Sequence, residues 1–182
     1  MIILGVDPGT LITGYGIIES KNGTMRVLAC DAIRNTSQTT MPLRLKHIYE
    51  KLSEAISRYH PDQLAIETAF YGKNAQSALK LGHARGVAIL AAVSCEMPTS
   101  EYSPREVKKA IVGKGNASKE QVQYMVKSLL RLKAAPKYFD ISDALAGAGC
   151  HAHRAVPHRT PYKSWKAYLA AHPEKISSGS KR

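Results

Sequence analysis

The chain opens with a continuous apolar run, residues 2–6, which is closed by the turn sequence Asp7-Pro8-Gly9. A short run without polar alternation, bounded by a turn signal, predicts a strand that is buried on both faces. Such a strand lies inside a sheet that is covered by other elements. The N-terminus therefore favours an α/β fold over a helical bundle.

The rest of the chain alternates between strand and helix patterns. Strands are predicted over residues 13–19, 24–34, 63–67 and 99–102, with a hairpin at Asn22-Gly23. Helices are predicted over residues 42–59, 74–94 and 140–153, and after the capping boxes that begin at Ser103 and Ser118. This order predicts a mixed five-stranded sheet flanked by helices.

The helix predicted over residues 74–94 has an apolar face that we assign to the inside of the protein. Its members are Ala75, Ala78, Leu79, Gly82, Gly86, Ile89, Leu90 and Val93. The small residues Gly82 and Gly86 would let another backbone approach closely. That backbone could belong to the sheet or to a second subunit, and we expect the sheet, because every single domain needs such packing.

Length and charge limit the domain organisation and the partners. The 182 residues suit one domain, and 26 Lys and Arg against 14 Asp and Glu give a net charge of +12, which suits a polyanion such as nucleic acid. No stretch has the composition of a membrane span or signal peptide, so we expect a cytoplasmic protein. We predict one folded domain over residues 1–153 and a basic, flexible tail over residues 154–182.

Acidic residues stand at two predicted strand ends. Asp7 ends the first strand, and Glu67 ends the strand after the first helix. A right-handed crossover through the helix at 42–59 would make these strands parallel neighbours, so both acids would lie at the sheet edge where open α/β folds bind ligands. Asp140 and Asp143, three residues apart on the last helix, can face the same point.

Each acid also has a purely structural explanation. Asp-Pro-Gly is a common turn, Glu67 can end a strand, and Asp140 can cap a helix with Asp143 in its first turn. Taken together they differ, because Glu67 follows an apolar run in which an unpaired carboxylate is costly to bury, and one bound cation would compensate several such charges. Carboxylates without core cysteines or clustered histidines favour Mg²⁺ or Mn²⁺.

Seven short motifs are spread in one unbroken order across roughly residues 1–153. They are Gly5-Val6-Asp7-Pro8-Gly9, Thr13-Gly14-Tyr15-Gly16, Ala65-Ile66-Glu67, Lys73-Asn74-Ala75, Ser77-Ala78-Leu79-Lys80-Leu81-Gly82, Ala84-Arg85-Gly86-Val87 and Asp140-Ile141-Ser142-Asp143-Ala144-Leu145-Ala146. In this order they resemble the RuvC family of bacterial Holliday-junction resolvases. One departure is that Ile141-Ser142 replace the family's usual small pair between the aspartates, after the bulky Tyr138-Phe139.

The resemblance implies a ribonuclease-H-like fold, a homodimer and paired symmetrical nicks across a four-way DNA junction. It implies that Asp7, Glu67, Asp140 and Asp143 are the catalytic acids and the ligands of Mg²⁺, with Mn²⁺ as a substitute and two ions in each active site. It further implies that the RuvA–RuvB branch-migration complex is a partner. Two metals can activate a water and stabilise the leaving oxygen, so no covalent protein intermediate is needed.

Several residues are candidates for contacts with DNA. Lys108, Lys114 and Lys119 follow the last predicted strand, and Lys119 opposes the dipole at a helix start, which a phosphate contact would explain better than helix stability does. A solvated lysine is the alternative, and similarity to family lysines at 108 and 119 favours DNA. Phe70, beside Lys73, would stack on an unpaired base according to the resemblance, whereas the sequence alone favours a core position.

Three other functions compete with a nuclease. Residues 6–10 resemble the first phosphate loop of actin-like and sugar-kinase ATPases, but 182 residues cannot supply that fold's second lobe. A noncatalytic DNA-binding scaffold, with structural acids and a basic surface, remains open. A zinc site at Cys150, His151, His153 and His158 lacks a second pair at ligand spacing, although a supporting histidine stays conceivable.

Overall fold

The computed structural model describes residues 1–68 and 75–155, together with residue 170. Every predicted strand and helix is present within a few residues of its expected bounds. In chain order the elements are β1 (Ile2–Asp7), β2 (Ile12–Lys21), β3 (Thr24–Arg34), α1 (Met41–Tyr59), β4 (Gln63–Glu67), α2 (Ala75–Val93), β5 (Thr99–Tyr102), α3 (Pro104–Val112), α4 (Lys119–Leu129) and α5 (Phe139–Ala155).

Local sequence signals account for the element ends. The hairpin between β2 and β3 turns at Asn22 and Gly23, which have φ values of 52° and 77°, as the Asn-Gly pair requires. Both predicted capping boxes are formed: the Ser103 hydroxyl accepts from the Glu106 amide, and the Ser118 hydroxyl accepts from the Gln121 amide. The starts of α3 and α4 are therefore fixed by these caps, and the candidate Lys119 is the first residue of α4.

The five strands form one mixed sheet in the order β3-β2-β1-β4-β5. β1 pairs in parallel with β4, with Val6 opposite Ile66, and β4 pairs in parallel with β5. β2 runs antiparallel to β1 and β3. The predicted parallel pairing of the two acid-bearing strands is confirmed, and it places Asp7 and Glu67 side by side at one edge of the sheet.

The sheet separates two hydrophobic cores. On one face, Leu4, Leu64 and Ile66 pack with α1 and α2, and on the other face, Ile3, Ile18 and Ala65 pack with α3, α4 and α5. Because strand side chains alternate, residues 3, 5 and 7 of β1 and residues 63, 65 and 67 of β4 share the face that carries α5. Asp7 and Glu67 thus point toward the helix that bears the other two acids.

Helix α5 lies directly on glycines of β1 and β2. A Cβ atom at Gly5 would stand 2.0 Å from the Ala144 carbonyl oxygen, and one at Gly14 would stand 2.0 Å from the Asp140 carbonyl oxygen. A Cβ at Gly16 would stand 2.4 Å from the Leu145 side chain. These strand glycines permit the close approach that brings the α5 acids down onto the sheet.

The predicted inner face of α2 is wrong. The buried residues of α2 are Ala84, Ala88, Ala91 and Ala92, whereas Leu79, Leu90 and Val93 are exposed by 63%, 56% and 56%. Neither Gly82 nor Gly86 has a described atom within 4 Å of its hypothetical Cβ, so the sheet does not approach there. The helix packs on its alanines and presents its larger apolar side chains outward.

Two further expectations concern chemistry and membranes. Cys30, Cys95 and Cys150 are all free, as the odd number without paired spacing predicted. Among the described residues, no helix is long and apolar enough to cross a membrane.

Candidate active site

The candidate site is built from the ends of three elements. Asp7 is the last residue of β1, Glu67 is the last residue of β4, and Asp140 and Asp143 lie in the first two turns of α5. All four predicted acids therefore come to the same edge of the sheet, on the face covered by α5. Electrostatic coupling between them follows from this placement.

The carboxyl groups of Asp7 and Glu67 are strongly perturbed. Burial is the largest cause and, with repulsion from Glu67, Asp143 and Asp140, raises the pKa of Asp7 to about 8. Burial and repulsion from Asp143 raise the pKa of Glu67 to about 7. Desolvated carboxylates that repel one another favour a proton or a cation between them.

Two of the candidate lysines act on these acids. The Lys119 ammonium lies 3.0 Å from the Asp143 carboxylate, across the gap between α4 and α5. Burial raises the pKa of Asp143, the bond to Lys119 opposes this, and the net pKa remains above its ordinary value. Attraction from Lys108 offsets a small part of the rise in the pKa values of Glu67 and Asp143, which places its charge near these acids.

Lys119 has a structural role that the sequence did not indicate. Its position at the start of a helix opposes the dipole, and its partner is the Asp143 carboxylate of a neighbouring helix. The ion pair holds a cation beside the acids. Lys114, in contrast, is exposed between α3 and α4 and is not among the described cations that act on the four acids.

The donor set is suited to a hard divalent cation, but its ligand geometry is not closed. Within residues 1–68 and 75–155, no group of three or more His, Cys, Asp or Glu side chains is arranged to hold a metal ion. The acids are coupled by charge, and Lys119 engages Asp143. Lys119 therefore competes with any bound cation for the Asp143 carboxylate.

The turn after Asp7 is fixed by the side chain of Thr13. Its buried hydroxyl donates to the Gly9 carbonyl at 2.6 Å and accepts from the Gly9 amide at 3.4 Å. These bonds close the loop between β1 and β2. Beyond Glu67, the Thr68 amide and hydroxyl both donate to the Tyr102 carbonyl oxygen, which fixes the end of β4 against β5.

Both ring nitrogens of His151 are engaged by protein side chains. Its Nδ1 pairs with the Tyr102 hydroxyl at 2.6 Å, and its Nε2 pairs with the Gln63 side-chain oxygen. His151 is 5% exposed, and burial lowers the pKa of its imidazole, which favours the neutral ring. His151 thus ties α5 to the strands that end near Glu67, whereas His153 is exposed.

Phe70, the candidate for base stacking, lies outside the described residues. The residues that sequence reasoning missed are Gly5, Gly14 and Gly16, which seat α5, and Thr13, which shapes the turn. A glycine inside a strand signals the close approach of another backbone, so the three glycines could have been found. Thr13 carried no comparable signal apart from its place in a family motif.

Known proteins resemble this chain over most of its length. The family model for the crossover junction endodeoxyribonuclease RuvC matches residues 3–151. A relative of that name from Chloroherpeton thalassium is 47% identical over 97% of this chain and 99% of its own length. A relative of the same name from Shewanella sp. strain MR-4 is 53% identical over 84% of this chain and 87% of its own length.

A solved structure shows the same architecture. Thermus thermophilus RuvC in complex with a Holliday-junction substrate superposes with a TM-score of 0.81 at 34% identity, covering 85% of this chain and 94% of that one. The match confirms the predicted ribonuclease-H-like fold. Since the family model spans more than half of the chain and its relatives align along nearly all of it, the chain belongs to the RuvC family of crossover junction endodeoxyribonucleases.

Proposed function

We propose that this protein resolves four-way DNA junctions by hydrolysing phosphodiesters in paired, symmetrical nicks during recombination and repair. The observation that carries the proposal is the placement of Asp7, Glu67, Asp140 and Asp143 at one sheet edge, close enough to raise the pKa of Asp7. Membership of the RuvC family and the likeness to a relative bound to a Holliday junction support the substrate. The net charge of +12 suits that polyanion.

The four acids are the proposed metal ligands, and Mg²⁺, replaceable by Mn²⁺, is the proposed ion, with two ions per site. Their fit rests on donor chemistry. Oxygen ligands are what these hard ions prefer, and the raised pKa values of Asp7 and Glu67 show that their ionised forms lack a compensating cation. When bound, such ions supply an activated water and stabilise the leaving oxygen.

The chain's own residues orient the DNA. The Lys119 ammonium, held beside Asp143, is positioned to attract the phosphate as the acids become occupied, and Lys108 adds a second positive charge on the same side. Lys114, exposed near the start of α4, is the proposed outer phosphate contact. Phe70 is the proposed stacking residue at the opened centre of the junction.

We propose a homodimer that uses the outward face of α2. That face carries Leu79, Leu90 and Val93, and the small Gly82 and Gly86 leave room for a second backbone. Paired nicks on two opposed strands suit two copies of one site. We further propose that the protein works in the cytoplasm with the RuvA–RuvB branch-migration complex. Its proposed nuclease domain comprises residues 1–153, and a basic tail of residues 154–182 follows.

The testing experiment compares a four-way junction with a linear duplex of the same sequence under different metal ions. Mg²⁺ and Mn²⁺ should support nicking of the junction alone, and Ca²⁺ should support binding without nicking, because Ca²⁺ is larger and activates water weakly. Equal cleavage of the linear duplex would contradict junction selectivity. Activity with Zn²⁺ and none with Mg²⁺ would contradict the ion assignment.

A further inference from the structure

A groove of about 880 Å³ opens beside the active-site edge, between the end of β3 and helix α1. Its lining includes three tyrosines, Tyr15, Tyr59 and Tyr138, and the cations Arg34 and Arg58. Since β3 is the outermost strand of the sheet, one wall of the groove is an unpaired strand edge. Aromatic and basic side chains combined in one groove are typical of nucleic-acid contacts.

Two cations in this region share one aromatic ring. The Arg34 guanidinium donates to the Tyr138 hydroxyl at 3.1 Å and lies 5.9 Å from the Tyr138 ring centre. The Lys137 ammonium lies 5.7 Å from the same ring centre. In the part of the chain that the structure describes, neither cation forms an ion pair with a carboxylate.

Two acids of the groove have partners in the described structure. Lys51 is paired with Glu54 at 2.9 Å, and the Asp31 carboxylate accepts from the Ala32 amide at 2.7 Å. Arg58 lies over its neighbour Tyr59, 5.4 Å from the ring centre. Arg34 and Lys137 differ from Arg58 in that they share one ring, Tyr138, which stands two residues before Asp140.

The cluster adjoins the active site directly. Tyr138 precedes Asp140 by two residues, and Arg34 ends β3, whose neighbour β2 carries Gly14 against the Asp140 carbonyl. A DNA strand that places one phosphate among the four acids would therefore carry its neighbouring phosphates past this cluster.

We propose that Arg34 and Lys137, held on the Tyr138 ring, bind the sugar-phosphate backbone of the junction arm that is being cut, and that the groove between β3 and α1 carries this strand onward. The proposal rests on the proposed function, because it assumes that DNA occupies the acidic site. Tyr138 acts as a positioning residue, since its hydroxyl fixes the guanidinium of Arg34. An acidic peptide of a partner protein is the competing occupant.

The test measures junction binding in EDTA, which prevents metal-dependent cleavage, across a salt titration. Arg34→Gln and Lys137→Gln should each reduce the slope of log affinity against log salt by about 0.9, and the double variant by about twice that amount. Arg26→Gln is the matched control, because Arg26 lies near the opposite end of β3 and is paired with Glu19. Its slope should stay at the wild-type value.

Two further variants separate charge from folding. Arg34→Lys should keep the wild-type slope, because the positive charge remains, and Tyr138→Phe should weaken binding while its slope changes by less than in Arg34→Gln. Thermal melting of each variant checks that the fold is intact. If wild type and Arg26→Gln bind junctions in EDTA and cut them in Mg²⁺ but the double variant keeps the wild-type slope, the DNA contact is overturned and the groove is left to a protein. If wild type itself neither binds nor cuts junctions, the proposed function has failed instead.

Discussion

Asp7 and Glu67 are costly to ionise in the folded protein because they are desolvated beside other acids. The pKa of Asp7, raised from 3.8 to about 8, means that the folded state holds a proton that the unfolded chain has already released. The resulting stabilisation is full below pH 3.8 and is lost as the pH rises through about 8. Without metal, the protein should therefore lose stability between these values.

Asp7→Asn tests this directly, because the amide resembles the protonated acid and stays neutral at every pH. In EDTA at pH 8, the variant should melt above wild type, and the difference should shrink at pH 5. A gain of about 1 kcal/mol would raise the melting temperature by roughly 2–4 °C in a protein of this size. Glu50→Gln, an exposed position paired with Lys46, should show no such pH dependence. A variant less stable than wild type at pH 8 would show that other groups of the protein stabilise the ionised Asp7 carboxylate.

Lys108 and Lys119 lie beside the acids, whereas the lysines of α1 lie on the opposite face of the sheet. Replacing either by Ala should weaken junction binding for all sequences and lower the salt slope by about 0.9 for each lost phosphate contact. Lys119→Ala should also raise the pKa of Asp143 further, because its nearest cation is removed. The control is Lys46→Ala on α1, and slopes that match this control in both variants would exclude backbone contacts.

At the scale of elements, helix α5 is held in register at two levels. His151 follows Asp143 by eight residues, about 12 Å along a helix, and Glu67 follows Gln63 by four residues, about 13 Å along a strand. His151 bonds to Gln63 at one level, while Asp143 and Glu67 interact at the other. Because the helix segment from Asp143 to His151 and the strand segment from Gln63 to Glu67 have nearly the same length, the His151–Gln63 contact places Asp143 level with Glu67.

His151→Ala should therefore reduce both stability and cleavage. It leaves the Tyr102 hydroxyl and the Gln63 amide without their partner, at a cost of about 1–3 kcal/mol for a buried polar group. The cleavage rate at saturating junction should fall as well, in conditions where the variant is fully folded. His153→Ala, at an exposed position of the same helix, is the control. Full activity of folded His151→Ala would limit this residue to stability.

The sequence predicted the strands, the helices and the parallel pairing, because hydrophobic periodicity and turn residues act locally. It did not predict which face of α2 is buried. Assigning the buried face of a helix from its apolar spacing selects the large apolar residues. Helix α2, however, packs closely on α1 and buries Ala84, Ala88, Ala91 and Ala92. Only the neighbouring elements decide that small side chains fit there. The four acids were found for the opposite reason, since charged residues at strand ends stand out.

At the scale of the whole molecule, the exposed face of α2 is where a second copy is expected. Leu90→Glu should give a monomer by sedimentation or light scattering, because a charge would be buried in the contact. Leu43→Glu is the matched control, since Leu43 on α1 is exposed by the same 56%. A dimer that survives Leu90→Glu would move the interface elsewhere.

Acid-to-amide variants test most directly whether the four carboxylates form one metal-dependent nuclease site. Cleavage and binding of a four-way junction are measured for Asp7→Asn, Glu67→Gln, Asp140→Asn and Asp143→Asn in Mg²⁺. Each variant should lose cleavage while binding persists or tightens, because removing a negative charge eases the approach of phosphate. Retained nicking by any two of the variants would contradict the assignment of the site.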